Sequence, residues 1–268
     1  NDLNGFVLDP ERKRLWIGHV FIQDGIDLTD TLALTAGVKF ERSSFTGTEI
    51  LPNVRVAWQP SERAMLWSAV SQAVRTPSRI DRQLTFLPIL APATDFESEE
   101  LTAIEAGYRG QPTSSTTLSI SAVYNIYDKL RTTELAPDGG LPIRLDNGLK
   151  GNTWGVEAWA TQQILPWWRL QLGLATLDKD FEEKAGHTDI TGGESAGNDP
   201  DYKITARSWM ALGDAVDLDL GLRAIDSLET GGVESYVEAD ARLGWRVSDQ
   251  LELFVAGTNL LHKAHAES

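Results

Sequence analysis

The feature of this sequence that most restricts its fold is a strict alternation of apolar and polar residues near its C-terminal end. Apolar residues occupy every second position from Val237 to Val247, and mostly charged residues lie between them. Alternation with a period of two indicates a strand with one apolar face and one wet face. Its length of about eleven residues matches the roughly 9–11 that cross a bilayer at a tilt. Since residues 251–261 repeat the pattern after a tight turn, we predict a transmembrane β-hairpin over 236–261.

Composition excludes several other classes of protein. The 268 residues are 41% hydrophobic and 24% charged, which is too apolar for a disordered chain. No apolar run approaches the roughly twenty residues that a membrane helix needs. The net charge of −15 argues against nucleic acid as a partner. The chain has no cysteine, so disulfides and thiolate metal sites are excluded.

The same alternation recurs along the chain and predicts about twelve strands in sequential hairpins, without a helical segment. The predicted strands are 14–23, 32–42, 51–59, 63–74, 101–109, 116–133, 150–163, 167–178, 202–212, 216–226, 236–247 and 251–261. Mostly tight connections are predicted near 24–31, 60–62, 110–115, 164–166, 213–215 and 248–250. Mostly longer ones are predicted near 43–50, 75–100, 134–149, 181–201 and 227–234. This asymmetry is typical of outer-membrane barrels, which have short periplasmic turns and long outer loops.

Aromatic residues lie near both ends of the predicted strands, where the two membrane–water boundaries would be. Near the short turns these are Trp58, Tyr108, Trp167, Trp168, Trp209 and Trp245. Nearer the long loops they are Tyr124, Trp154, Tyr202 and Tyr236. We therefore predict two aromatic girdles.

Charged residues on the other face of the strands predict a wet interior. Asp217, Asp219 and Arg223 share one face of a predicted strand. Each such charge would cost about 2–4 kcal/mol if it faced lipid near the bilayer midplane. An open sheet edge in hydrocarbon would also leave unpaired amides and carbonyls, so the sheet should close. The predicted fold class is all-β, an antiparallel up-and-down transmembrane β-barrel meander.

Four stretches of the chain resemble the TonB-dependent outer-membrane receptors. They are VSQAVRTPSRIDR (70–82), DFESEELTAIEAGYRG (95–110), NGLKGNTWGVEAWA (147–160) and GTNLLHKAHAE (257–267). The resemblance implies a barrel of roughly 22 strands with a plug domain inside it. Residues 1–268 would then be a partial barrel domain with roughly strands 10 to 21. The plug, the early strands and a closing strand after His265 are expected to lie outside this sequence.

The resemblance also implies a function, namely active uptake of a scarce ligand such as a ferric siderophore. The receptor would lie in the outer membrane of a Gram-negative bacterium, in contact with the lipid bilayer and lipopolysaccharide. Energy would come from the TonB–ExbB–ExbD complex, which acts through the plug. We expect no cofactor and no enzymatic activity, and the chain has no His-Glu-x-x-His motif. An outer-membrane barrel enzyme or a passive porin is one alternative, and a soluble β-sandwich or adhesin module is another.

Candidate ligand contacts lie at the mouth of the longest predicted loop. They are Arg75, Arg79, Arg82 and Phe86. Guanidinium groups offer paired donors to carboxylate or phosphate, so these arginines could grip an anionic ferric chelate or polar lipid headgroups. The structural alternative is that Arg75 braces the barrel wall or the plug.

Two groups of residues could hold a metal ion, but we predict no metal site. His262, His265 and Glu267 lie where an outer loop should begin. The acidic loop over 181–201 could hold Ca²⁺ but lacks the spacing of an EF-hand; its candidate residues are Asp189, Glu194, Asp199 and Asp201. Surface loops of this kind are more often simply solvated.

Overall fold

The computed structural model describes residues 5–193, 196–228 and 231–262, which form fourteen strands and one short helix. In chain order these elements are β1 Val7–Leu8, β2 Ile17–Thr29, β3 Leu32–Ser43, β4 Gly47–Ser61, β5 Ala64–Arg75, α1 Arg79–Gln83, β6 Leu84–Thr85, β7 Glu99–Thr113, β8 Thr116–Glu134, β9 Arg144–Leu165, β10 Trp168–Glu183, β11 Tyr202–Leu212, β12 Val216–Ile225, β13 Tyr236–Ser248 and β14 Leu251–Gly257. All strands other than β1 and β6 are longer than the usual length of about five or six residues.

Twelve of these strands form one antiparallel sheet in which each strand pairs with its neighbours along the chain. The order is β2-β3-β4-β5-β7-β8-β9-β10-β11-β12-β13-β14, and β1 and β6 form a separate two-stranded sheet. The predicted up-and-down meander of about twelve strands is therefore confirmed. Within the described ranges no second large sheet packs against the first, so the structure is not the alternative β-sandwich. The strands β2 and β14 are the open edges of this sheet.

Connections at the two ends of the sheet differ in length, as predicted. At the short-turn end they are 30–31, 62–63, 114–115, 166–167, 213–215 and 249–250. At the long-loop end they are 44–46, 76–98, 135–143, 184–201 and 226–235. The first connection at the long-loop end is the exception, because it has only three residues.

The predicted longer loop at 43–50 is therefore wrong, and β4 begins at Gly47. The Ser43 hydroxyl accepts a hydrogen bond from the Thr46 N–H at 3.1 Å, and Gly47 adopts a φ of 79° that favours glycine. The polar residues after the turn were mistaken for loop, although Glu49 is a strand residue and the cross-strand partner of Glu41. Residues 24–29, predicted as turn, likewise continue β2.

The prediction that no helix occurs is also wrong, because α1 forms one turn inside the longest loop. Ser78 precedes it, and its hydroxyl accepts hydrogen bonds from the N–H groups of Ile80 and Asp81 at 3.1 and 3.2 Å. The Asp81 carboxylate in turn accepts from the Ser78 N–H at 2.8 Å, which completes a capping box. None of the helices in the described part of the chain is long and apolar enough to cross a membrane.

The apolar face can be followed strand by strand, because cross-strand partners point to the same side of a sheet. One continuous row on this face is Trp58, Leu66, Tyr108, Ile120, Ala158, Leu174, Ile204, Ala224 and Val237. A row on the opposite face is Arg109, Ser119, Trp159, Gly173, Thr205, Arg223 and Glu238. The predicted separation into an apolar face and a polar face is confirmed.

The sheet has almost no hydrophobic core of its own. Among the described residues, the buried hydrophobic side chains are Ala69, Leu90, Ala93, Phe96, Leu149 and Val233. Large apolar side chains on the apolar face are exposed instead, such as Leu222 at 52% and Leu243 at 51%. A contiguous apolar surface of this kind needs a cover in the native protein.

The aromatic girdles are largely confirmed, with two corrections. At the short-turn end, Trp58, Tyr108, Trp168 and Trp245 share the apolar face. At the long-loop end, Tyr124 and Trp154 are cross-strand partners, and Tyr202 lies on the same face.

The two corrections are Trp209 and Tyr236, which lie on the polar face. The guanidinium of Arg169 lies 4.5 Å from the Trp209 ring centroid, and that of Arg223 lies 6.0 Å from the Tyr236 ring. Distance from a turn indicates the height of a residue, but only strand parity decides its face.

Candidate functional site at the long-loop end

The longest loop, residues 76–98, is fastened to the sheet by a buried carboxylate. Arg75 donates to Glu99 through Nε and through Nη2, the latter at 2.9 Å from Oε1. Its Nη1 also donates to Asp81 Oδ2 at 3.2 Å, and Arg131 Nη1 lies 3.6 Å from Asp81 Oδ1. Asp81 is only 3% exposed. Arg75 of β5 and Arg131 of β8 therefore hold α1 at the long-loop end of the polar face.

The Asp81 carboxylate is stabilised in its charged form. Burial opposes ionisation, but the hydrogen bonds from the Ser78 N–H and hydroxyl and the charge of Arg75 outweigh it. The pKa of Asp81 is consequently lowered from its ordinary value. At neutral pH this carboxylate is an anion whose charge is used to hold the loop.

Arg79 and Arg82 both donate hydrogen bonds to backbone carbonyls of neighbouring segments. Arg79 donates to the carbonyl of Pro10 and, from Nε, to Gln83 Oε1 at 2.8 Å. Arg82 Nη1 donates to the carbonyl of Phe45 at 2.6 Å, and its guanidinium lies 5.2 Å from the Phe45 ring centroid. Burial lowers the pKa of Arg82, although the charge of Asp95 opposes this.

Phe86 belongs to a separate contact. Its ring packs on Phe6 with centroids 4.6 Å apart, and its backbone pairs with Leu90. Arg79, Arg82 and Phe86 therefore lie in one loop and Arg75 at the end of the strand before it, but the four residues do not converge on one point. The contacts of Arg75 are those of a brace, and ligand binding by Arg79, Arg82 and Phe86 stays a prediction.

A cavity of about 350 Å³, here called the rim cavity, lies beside Arg82. Its charged lining residues are Glu49, Arg82, Asp95, Glu97, Glu100 and Lys129. Lys129 Nζ contacts Glu97 at 2.7 Å and Glu100 at 2.9 Å, and Glu49 accepts a hydrogen bond from the Ser98 hydroxyl at 2.9 Å. Sequence reasoning missed these carboxylates, although the acidic run at 95–100 was a visible signal.

A second cluster of polar side chains that the sequence did not indicate joins β8 and β9, at their long-loop ends, to the loop after β10. Glu134 Oε1 accepts from the Thr132 hydroxyl at 2.7 Å and lies 2.7 Å from His187 Nδ1. A carboxylate oxygen of Asp146 also lies within 4.8 Å of the Glu134 oxygen and the His187 ring nitrogen. Asp146 is engaged by Arg144 at 2.6 Å, so hydrogen bonds and ion pairs account for the arrangement.

In the two groups that the sequence offered as metal ligands, Asp189 and His262 are likewise held by hydrogen bonds within the protein. Asp189 accepts hydrogen bonds from the backbone of Thr133 and Gly193, each at 2.8 Å. Burial opposes ionisation of Asp189, but these bonds outweigh it, so its pKa is lowered from its ordinary value. His262 Nδ1 lies 2.8 Å from Glu238 Oε1. The remaining acidic-loop candidates differ, because Asp199 lies 3.5 Å from Lys179, whereas Asp201 forms no ion pair among the described residues.

Glu194, His265 and Glu267, which belong to the same predictions, lie outside the described residues. So does Ser195, the central residue of a Gly-x-Ser-x-Gly stretch at 193–197. In the sequence, that stretch falls between β10 and β11.

Comparison with known proteins places this geometry in a family. The family model for the TonB dependent receptor-like β-barrel matches residues 3–260. A search of curated proteins finds no match.

Solved structures share the fold at low sequence identity. The siderophore receptor PirA from Acinetobacter baumannii has 17% identity and a TM-score of 0.74, over 92% of this chain and 42% of that one. The ferric enterobactin receptor PfeA from Pseudomonas aeruginosa, as a variant in complex with enterobactin, has 16% identity and a TM-score of 0.73, over 93% and 40%. The FrpB iron transporter from Neisseria meningitidis has 15% identity and a TM-score of 0.74, over 93% and 41%.

This chain therefore spans about two fifths of the length of each neighbour. The family match covers nearly all of its residues, and the twelve-stranded meander is the architecture that the neighbours share. The chain belongs to the TonB-dependent receptor-like β-barrel family.

Proposed function

We propose that this chain is part of an outer-membrane TonB-dependent receptor that takes up a scarce ligand, with a ferric chelate as the leading candidate. The observation that carries the proposal is the division of one long-stranded meander into an exposed apolar face and a polar face. Such a wall is stable only with lipid on one side and an enclosed wet lumen on the other. The names of its structural neighbours, which are receptors and a transporter, support the ligand class.

The proposal assigns the rest of the receptor to sequence outside residues 1–268. The edges β2 and β14 carry unpaired backbone groups, which in a bilayer require further strands. A barrel of roughly 22 strands would supply them and would leave room for a plug. In this arrangement the TonB–ExbB–ExbD complex acts through the plug, and the apolar face meets the lipid bilayer and lipopolysaccharide.

The loops at the long-loop end would face the outside and meet the ligand first. Arg79, Arg82 and Phe86 are proposed contacts because they lie on loop 76–98 at the mouth of the lumen. Arg75 is proposed to hold that loop in place, since its guanidinium is committed to Glu99 and Asp81.

The test is uptake by intact cells that express the complete receptor in a strain lacking its own. We expect accumulation of radiolabelled iron from a ferric chelate, and we expect it to stop when TonB is deleted or the proton gradient is collapsed. Accumulation that continues without TonB would indicate the passive porin instead. Hydrolysis of a lipid or peptide substrate by the purified receptor, without uptake, would indicate the barrel enzyme.

A further inference from the structure

Many of the basic side chains at the long-loop end are paired with carboxylates of the wall itself. Arg75 is paired with Glu99 and Asp81, as described above. Further ion pairs at this end join Arg131 with Asp81, Lys39 with Glu41, Lys129 with Glu97 and Glu100, Arg144 with Asp146, Lys150 with Glu182, Lys179 with Asp199, and Lys184 with Asp128. Arg79 and Arg82 are held by carbonyl oxygens. An arriving anion would have to displace a carboxylate before it could bind one of these paired cations.

Carboxylates, in contrast, remain in surplus at the same end. In the rim cavity, Glu49 accepts a hydrogen bond from Ser98 but forms no ion pair with any described residue. Asp95 is exposed, and its charge acts on Arg82 without an ion pair between them. The cavity thus has four carboxylates and two cations in its lining, and both cations are already engaged. Uncancelled negative charge therefore faces the entrance.

We infer that the rim cavity biases the receptor against anionic chelates and towards neutral or cationic ones. This inference rests on the proposed function, because it names the charge class of the same ligand. A tris-hydroxamate complex of Fe(III) is neutral, since each hydroxamate carries a single negative charge. A tris-catecholate complex is strongly anionic, because each catecholate is a dianion. The negative charge of the rim cavity therefore favours the neutral tris-hydroxamate complex over the anionic tris-catecholate complex.

The physical reason is long-range repulsion rather than a particular contact. Charges that line a cleft with low-dielectric walls focus the field at its mouth and change the rate at which a charged ligand arrives. Rim charges act mainly on the association rate and on its salt dependence. The bias should therefore appear as a slower association rate of the anionic chelate. The difference should become smaller as added salt screens the repulsion.

The experiment uses the full-length receptor in detergent and compares a neutral ferric tris-hydroxamate with an anionic ferric tris-catecholate. The test variant carries Glu49→Gln and Asp95→Asn, which remove two charges and keep the size of each side chain. We expect its association rate with the tris-catecholate to rise about three- to tenfold, while that with the tris-hydroxamate stays within about twofold. At an ionic strength of about 1 M, where the Debye length is about 3 Å, most of this difference should vanish.

The matched control is Asp249→Asn, an equivalent change in the exposed turn at the opposite end of the sheet. It should alter neither association rate. The inference is overturned if the wild-type receptor binds the anionic chelate as fast as the neutral one, or if the double variant leaves the ratio of the two rates unchanged. If the wild-type receptor binds neither ferric chelate, the proposed ferric-chelate function fails, and this inference fails with it.

Discussion

Arg75 and Glu99 are cross-strand partners at the upper ends of β5 and β7, and two hydrogen bonds join the guanidinium to the carboxylate. The same guanidinium reaches Asp81 in α1. One arginine therefore connects two strands and the loop that runs between them.

Replacing Arg75 with lysine should loosen loop 76–98, although the positive charge is kept. Lysine cannot reproduce the planar fork, so it can satisfy Glu99 or Asp81 but not both in the same way. Because the Arg75 side chain is 46% exposed, solvent screens the pair, and we expect a loss of only about 1 kcal/mol. Amide hydrogen exchange over 76–98 should quicken about fivefold. Arg63→Lys in the short turn is the control, and equal exchange in both variants would contradict the brace.

Replacing Ser78 with alanine should unravel α1 without affecting the strands. The Ser78 hydroxyl is the acceptor for two helix N–H groups, and loss of such a cap costs about 1 kcal/mol. Exchange of the Ile80 and Asp81 amides should therefore quicken about fivefold. Ser78→Asp retains a capping oxygen and should restore most of the protection. If the alanine and aspartate variants exchange alike, the capping box does not stabilise the loop.

Acid should release loop 76–98 only below about pH 4. The folded-state pKa of Asp81 is lowered, so its contribution is fully present above the unfolded value of about 3.9 and is lost as the pH falls through the lower folded value. Hydrogen exchange of the loop, corrected for the intrinsic rate, should stay constant from pH 7 to about pH 4 and then rise. Asp81→Asn should abolish this step. A rise between pH 7 and pH 5 would contradict it.

An arginine should be tolerated on one face of β12 and not on the other. Leu220 is 42% exposed on the apolar face, whereas Gly221 is its neighbour on the polar face with ordinary contact distances to Asp240. Leu220→Arg should cost about 2–4 kcal/mol if it faces lipid, and Gly221→Arg should cost much less. The measurement is the yield of folded receptor in the outer membrane. Equal yields, or the reverse order, would show that the lipid and lumen faces are wrongly assigned.

Replacing Gly148 with alanine should detach the loop after β10 from the wall. A Cβ at Gly148 would lie 2.5 Å from Glu134 Oε1 and 2.7 Å from His187 Cβ, so the hydrogen bond between those side chains could not form as it does here. Exchange over 184–193 should quicken several-fold. The control is Gly140→Ala, where the nearest atom would lie at 3.4 Å and no loosening is expected.

The strands could be predicted because a half-buried strand leaves its period of two in the sequence. The hairpin predicted at 236–261 is the clearest case, because the structure pairs Leu243 with Val255 and Trp245 with Leu253, although its second strand ends at Gly257 rather than Leu261. The prediction was wrong where polar residues continue a strand above the expected membrane boundary, as at Glu49. Composition there resembles a loop, although the backbone remains hydrogen-bonded to its neighbour.

The candidate site was harder to predict, because its contacts join residues that are distant in the sequence. Arg82 and Phe45 are 37 residues apart, and Glu134 and His187 are 53 apart. Periodicity carries no information about such pairs. The helix α1 was predictable in principle, since Ser78 and Asp81 have the spacing of a capping box. At five residues, however, it is too short to produce a helical period.

The sequential pairing of the strands also bears on how such a wall can assemble and evolve. Each long strand bonds only to those before and after it, so no strand must wait for a distant partner, and the loop-closure cost of each step is small. The sheet can therefore form one hairpin at a time from either edge. By the same logic, duplication or deletion of a gene segment that encodes one hairpin would change the width of the sheet, while the pairings within the other hairpins are preserved.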